Sequence, residues 1–138
     1  MTKSTLAGRI IKSIENDEWK LIQDESSDIP ISEHNRKVLL ELRETGVSFF
    51  GEVDDKDITV LSEAVYEFLR ETWPEQSRAH KYVVDSCLVL TFLREEPMHP
   101  QEAVKYRVAE KGGKKEYYCP AKQDSVICNF CVSKKEKP

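Results

Sequence analysis

Apolar residues recur at helical spacing in four segments of the chain, and each segment predicts a helix. The first covers residues 5–24, and the second begins after Ser32 and ends at Gly46. The third covers roughly residues 57–73. The fourth, residues 78–94, is apolar on almost every side, which is typical of a helix buried at the centre of a bundle.

The pattern changes after residue 100. Val104, Tyr106 and Val108 alternate with charged residues, and Gly112-Gly113 is a suitable two-residue turn. A short helix from Gln101 is one interpretation of this region. We favour a hairpin near Tyr106–Cys119, which brings Cys119 to the end of its second strand.

The predicted fold class is mainly α, a bundle of about four helices with a small C-terminal metal-bound β-hairpin or knuckle. A length of 138 residues fits a single domain. Within it we expect a helical body at 1–95, a metal-binding subdomain at 96–133 and a disordered tail at 134–138.

Three of the four cysteines lie in a short C-terminal stretch. Cys128 and Cys131 form a Cys-x-x-Cys pair, and Cys119 precedes them by nine residues. This spacing lets a tight turn present two thiolates to one tetrahedral cation. His99, in a constrained loop outside any apolar face, is the leading fourth ligand. The sequence thus predicts a zinc site at Cys119, Cys128, Cys131 and His99.

Two residues of the fourth predicted helix are alternative fourth ligands. Cys87 and His80 are seven residues apart, about 10 Å along a helix, so both cannot bind one metal directly. A lone cysteine in an apolar helix is usually a small buried hydrophobe. An iron–sulfur cluster would need four ligands, usually thiolates, and would therefore require Cys87.

Other roles for the cysteines remain open. Cys128 and Cys131 could form a redox pair, although no thioredoxin-like context is evident. A catalytic zinc would leave one position open and would need a nearby general base. Glu102 and Glu116 are candidates by position in the sequence.

Two polar side chains of the helical body bear on function. Asp85 interrupts the most apolar segment, and a lone buried carboxylate is unfavourable. We expect it to have a partner or to lie on a narrow exposed stripe. His34, in the first turn of the second predicted helix, is expected to be solvated.

Charge is distributed unevenly around a net value of −4. Residues 98–138 hold nine Lys or Arg and five Asp or Glu, and residues 1–97 hold twelve and twenty. The acidic body argues against a nucleic-acid partner, although the basic C-terminal segment leaves one open. No run approaches the ~20 apolar residues of a membrane span, and no signal peptide is evident. We expect a cytoplasmic protein with no membrane partner.

Several short motifs together resemble a known family. They are His80-Lys81-Tyr82, Glu96-Pro97-Met98-His99-Pro100, Tyr118-Cys119-Pro120-Ala121-Lys122 and the Cys128/Cys131 pair. The chain resembles an uncharacterised family of archaeal proteins, found chiefly in methanogens and described as a domain of unknown function. The resemblance implies a cytoplasmic archaeal protein and adds weight to the metal site. It implies no activity, substrate or partner.

The leading functional hypothesis is a zinc-stabilised binding or adaptor module; its partner is unknown, and a protein is one candidate. The alternatives are a metal-dependent enzyme with an open zinc site, and an iron–sulfur or redox protein. Whether the chain is an enzyme is left open by the sequence.

Overall fold

The computed structural model describes residues 1–100 and 103–135. These residues form a mainly helical body, as the sequence predicts, followed by a small three-stranded sheet. The elements are α1 (Lys3–Ser13), α2 (Asn16–Gln23), α3 (Glu33–Thr45), α4 (Asp55–Thr72), a 3-10 helix (Pro74–Ala79), α5 (His80–Leu88), a π-helical segment (Val89–Arg94), β1 (Arg107–Lys111), β2 (Lys114–Cys119), α6 (Val126–Phe130) and β3 (Lys134–Lys135).

The hydrophobic core is centred on α5 and the π-helical segment. α5 packs against α3 and α4, and the π-helical segment packs against α1 and α3. The most deeply buried large side chains include Leu6, Ile22, Leu39, Leu61 and Leu90. The predicted position of the most apolar segment at the centre of the helices is therefore confirmed. Among the described residues, no helix has an apolar stretch long enough to cross a bilayer.

The first predicted helix, residues 5–24, is wrong as a single element, because it is two helices. The backbone is extended at Ile14 (φ −101°, ψ 114°), and α2 then begins with a capping box. In that box the Glu15 N–H donates to Glu18 Oε1 at 3.2 Å. Ile14, Trp19 and Ile22 are all buried. Apolar spacing therefore continues across the break and conceals it.

The fourth predicted helix, residues 78–94, is helical throughout but changes type along its length. It begins in the 3-10 helix, continues as α5 and ends as the π-helical segment. Glu95 then adopts a left-handed conformation (φ 51°, ψ 48°). The Leu90 carbonyl accepts the N–H of Glu96 at 2.8 Å, which closes the wide final turn. This turn leads the chain towards the C-terminal hairpin.

The predicted hairpin is confirmed. β1 and β2 pair antiparallel, and Gly112 and Gly113 between them both have positive φ (58° and 79°). A two-residue turn of this kind favours glycine because other residues are strained there. Cys119 ends β2, as expected.

The expected disordered tail at 134–138 needs correction. Lys134 and Lys135 form β3, which pairs parallel with Tyr118 and Cys119 of β2. Lys134 Nζ also donates to Glu116 Oε1 at 3.1 Å. This backbone pairing and the ion pair hold a segment whose composition alone indicates disorder. Residues 136–138 lie outside the described residues.

Two glycines in the helical body should respond oppositely to alanine. Gly46 ends α3, as predicted, with φ 82° and ψ −153°, a region that disfavours any side chain. Gly8 is helical, and an added Cβ would meet Val47 Cγ1 at an ordinary 3.7 Å. We expect Gly46→Ala to lower the free energy of unfolding by about 1–3 kcal/mol. Gly8→Ala should raise it by about 0.5–1 kcal/mol.

Urea denaturation of the two glycine variants beside the unmodified protein measures both changes. A Gly46→Ala protein as stable as the unmodified chain would contradict the strained backbone assigned to this helix end.

Candidate cysteine site and the adjoining cleft

Each cysteine of the C-terminal segment is placed by a defined local structure. Cys119 is buried at the end of β2, and its carbonyl accepts the Lys122 N–H at 3.4 Å. Cys128 lies in α6, where its N–H donates to the capping hydroxyl of Ser125 at 3.2 Å. Cys131 follows α6 directly. A strand end and a short capped helix therefore carry the three thiols.

The side chain of Lys122 ties these two pieces together. Its ammonium donates to the carbonyl oxygen of Cys131 at 3.3 Å and also to the carbonyl oxygen of Ser133. Cys131 Sγ in turn lies 3.1 Å from Ser133 Oγ. The turn after Cys119 is thus fastened to the turn after Cys131 by one cation.

The three thiols share a neighbourhood around Tyr106. Burial, together with smaller contributions from the thiols of Cys131, Cys119 and Cys128, raises the pKa of the Tyr106 phenol to about 12. The backbone of His99 hydrogen-bonds to the same phenol and lowers its pKa. All three predicted cysteine ligands therefore lie within electrostatic range of one hydroxyl group.

The fourth cysteine, Cys87, belongs to the helical body. Burial, with a smaller contribution from Cys131, raises the pKa of the Cys87 thiol to about 12. Both residues pack against the hydrophobic core. The Cys87 thiol is therefore within electrostatic range of Cys131 in the C-terminal segment.

The predicted zinc site is not preformed in these positions. The described residues contain no group of three or more His, Cys, Asp or Glu side chains arranged to hold a metal ion. His99, the leading fourth ligand, is exposed and lines a cleft that none of the three cysteines lines. The zinc site remains a prediction.

The other residues considered from sequence have different surroundings. His80 is buried, and its Nε2 lies 2.9 Å from the carbonyl oxygen of Trp73, so it links α4 to α5. The Glu116 carboxylate accepts hydrogen bonds from Tyr118 and Lys134. These contacts leave Glu116 in a surface ion-pair network. Glu102 lies outside the described residues.

A cleft of about 320 Å³ opens between the helical body and the hairpin. One hydrogen bond at this cleft, made by His34, is not predicted from the sequence. His34 is half-buried rather than solvated, and its Nε2 lies 3.2 Å from the carbonyl oxygen of Met98. The lining combines side chains from α3, the segment after α5 and the hairpin: His34, Lys37, Val38, Glu41, Leu90, Arg94, Glu96, Pro97, His99, Pro100, Tyr106 and Tyr117.

Asp85 is half-buried, with the cations Lys81 and Arg9 close enough to lower its pKa. Its Oδ2 is buried and, among the described residues, has no hydrogen-bond partner. Burial raises the pKa of this carboxyl group to about 7, Lys81 and Arg9 lower it, and Glu18 raises it. Asp85 is therefore a half-buried acid with one buried oxygen, and its raised pKa lets it gain or lose a proton near neutral pH.

The comparison with known families decides the affiliation of the chain. A family described as an uncharacterized protein conserved in archaea, DUF2115, matches residues 10–136. The chain belongs to this family. The DUF2115 match extends from within α1 to just beyond β3, so it includes all four cysteines and the cleft. No curated protein and no solved structure matches the chain.

Proposed function

We propose that this DUF2115 protein is a binding or adaptor module whose C-terminal segment is fastened to the helical body by one zinc ion. Cys119, Cys128 and Cys131 would bind the ion as thiolates. The observation that supports the proposal is that these three thiols all contribute to the raised pKa of the Tyr106 phenol.

The chemistry of the donors fits zinc. Thiolate and imidazole are the usual ligands of structural zinc, in sets of four. The Lys122 ammonium, bonded to the carbonyl oxygen of Cys131, would offset part of the negative charge of three thiolates. Because the described residues hold no ready-made ligand group, binding has to draw the thiols together. A strand end and a five-residue helix are short elements that can shift to allow this.

The fourth ligand is either His99 or Cys87. The electrostatic effect of Cys131 on the Cys87 thiol supports Cys87, which would link the segment directly to α5. A thiol with a pKa of about 12 binds zinc only by releasing its proton, so this ligand would make zinc affinity increase with pH. His99 would instead link the segment to the loop after the π-helical segment.

The first test is the metal content of protein purified anaerobically without added metal. We expect about one zinc ion per chain, since a structural site binds one ion. Cys128→Ser should lose the zinc and loosen the C-terminal segment, while most of the far-ultraviolet helical signal remains. Unchanged zinc content in Cys128→Ser would refute the assignment.

Two further variants identify the fourth ligand in the same assay. Loss of zinc in Cys87→Ser but not in His99→Ala would identify an all-cysteine site that reaches into the helical body. The reverse result would identify the Cys3His site predicted from sequence. Each variant serves as the control for the other.

The position of Cys87 also favours a second candidate, an iron–sulfur protein. Four cysteines are the usual ligands of such a cluster, and Cys87 would complete the set with Cys119, Cys128 and Cys131. Iron and sulfide in the purified protein, with visible absorbance, would support this candidate in place of zinc. An open catalytic zinc is less well supported, because Glu116 is engaged with Tyr118 and Lys134.

A further inference from the structure

We propose that the cleft between α3 and the hairpin binds a small organic anion, an oxyanion group carried on an apolar or aromatic body. The proposal does not depend on the metal site. It rests on the walls of the cleft, on an ammonium group that has no ion-pair partner among the described residues, and on a histidine held in one orientation.

The inner wall of the cleft is apolar and aromatic. Val38, Leu90 and Pro97 are buried beneath it. Tyr106 and Tyr117 meet edge to face, with ring centroids 6.3 Å apart and planes at 80°. A cavity of about 320 Å³ with such walls matches the lower end of small-molecule sites. The wall suits the ring or hydrocarbon part of a ligand.

Two cations and two carboxylates line the charged rim of the cleft, but among the described residues both carboxylates pair with the same cation, Arg94. Lys37 and Glu41 are one turn apart on α3, a spacing at which they commonly pair. Glu41 instead accepts from Arg94 Nη1 at 3.0 Å, while Arg94 Nη2 binds Glu96 at 2.8 Å. Arg94 thus forms ion pairs with two carboxylates. Within the described part of the chain, Lys37 has no carboxylate at ion-pair distance. The Lys37 ammonium is the group that a ligand oxyanion would meet.

The histidine that lines the cleft is held by the backbone. A carbonyl oxygen only accepts hydrogen bonds, so the Nε2 of His34 must donate to Met98. In the neutral imidazole, Nδ1 is then an acceptor. His34 can therefore accept a hydrogen bond from a ligand hydroxyl or from a protonated oxyanion. Lys37 lies one turn further along the same helix, so one ligand can engage both.

Phenyl phosphate and benzoate are suitable probes, because each carries an oxyanion on an aromatic ring. We would titrate each into the full chain labelled with ¹⁵N and follow amide shifts, with inorganic phosphate and phenol as comparisons. The expected result is saturable binding of at least one aromatic anion, tighter than either comparison, with shifts confined to the cleft. Saturation by one anion and not the other would identify the oxyanion as phosphate or carboxylate.

Matched lysine variants test the role assigned to the ammonium. Lys37→Gln should weaken binding up to about fivefold, which corresponds to the loss of one exposed ion pair. Lys37→Arg should retain most of the affinity. Lys12→Gln, at an exposed site on α1, should leave affinity unchanged and controls for general charge.

Three results would overturn the proposal: no saturation with either aromatic anion, shifts centred outside the cleft, or equal weakening by Lys37→Gln and Lys12→Gln. Measuring the Cys128→Ser protein as well separates the two proposals. A chain that contains no metal but still binds the probe leaves the cleft assignment intact.

Discussion

Replacing Asp85 with asparagine should raise the free energy of unfolding at pH 8 by up to about 4 kcal/mol and change it little at pH 4. The ordinary pKa of an aspartate is 3.8, and burial raises that of Asp85 to about 7 in the folded chain. A shift of about three units at 1.36 kcal/mol each sets the upper bound. The expected effect is large because a buried carboxylate oxygen has no hydrogen-bond partner among the described residues.

The direction of this pH dependence follows from proton binding. Between about pH 4 and pH 7 the folded chain keeps the Asp85 proton while the unfolded chain has lost it. Stability therefore falls as pH rises through this range and levels off above the folded pKa. Asparagine has the same shape and no charge. It should abolish this part of the pH dependence without creating a cavity.

Chemical denaturation at pH 4 and pH 8 measures the effect of the Asp85 substitution. The matched control is Asp28→Asn, at an exposed position in the loop before α3. The control should change stability by a similar small amount at both pH values. An equal change for Asp85→Asn at pH 4 and pH 8 would contradict the assignment of a neutral buried carboxyl group.

Local signals account for most of the elements that the sequence predicts correctly. Ser32 caps α3, Gly46 ends it, and Asp54 caps α4, each through bonds within a few residues. The Gly112-Gly113 turn likewise fixes the hairpin locally. Side-chain and backbone preferences over such short distances are visible in the sequence.

The elements that the sequence misses depend on distant contacts or on ambiguous spacing. The break at Ile14 is hidden because buried residues continue on both sides of it. β3 exists through pairing with Tyr118 and Cys119, and its own composition of two lysines gives no strand signal. Non-local pairing of this kind cannot be derived from a local pattern.

In the candidate sites, too, local spacing predicts one part and distant contacts determine the other. The spacing of Cys119, Cys128 and Cys131 predicts that their thiols are neighbours, and the shared effect on Tyr106 is consistent with this. The cleft could not be predicted, because its charge balance depends on Arg94 drawing Glu41 away from Lys37. Arg94 and Glu41 are 53 residues apart in the chain.

Glu18→Ala should lower the free energy of unfolding at neutral pH by about 2–4 kcal/mol, since it removes several hydrogen bonds to one charged acceptor. The Glu18 carboxylate accepts from the Tyr82 hydroxyl, from Lys81 Nζ at 3.4 Å and from the Glu15 N–H at 3.2 Å. Tyr82 is buried, so its hydroxyl would lose its acceptor in a site with little water. Lys81 would keep the Ser13 carbonyl at 2.9 Å.

The stability contributed by Glu18 should depend on pH in the opposite sense to that of Asp85. Burial acts to raise the pKa of Glu18, but the bonds from Tyr82, Glu15 and Lys81 outweigh it and lower the pKa below its usual value. This contribution is present above the ordinary glutamate pKa and is lost as pH falls. Glu18→Gln, which keeps an acceptor oxygen, should have a smaller effect. Glu63→Ala, at an exposed position on α4, is the control.

Glu18 and Asp85 should also be energetically coupled. The negative charge of Glu18 raises the pKa of Asp85, so removing it makes the charged form of Asp85 less unfavourable. The gain from Asp85→Asn at pH 8 should therefore be smaller in the Glu18→Ala background than in the unmodified chain. A double-mutant cycle measured at pH 8 tests this directly. Strictly additive changes would show that the two carboxylates do not interact, and the raised pKa of Asp85 would then have to come from burial alone.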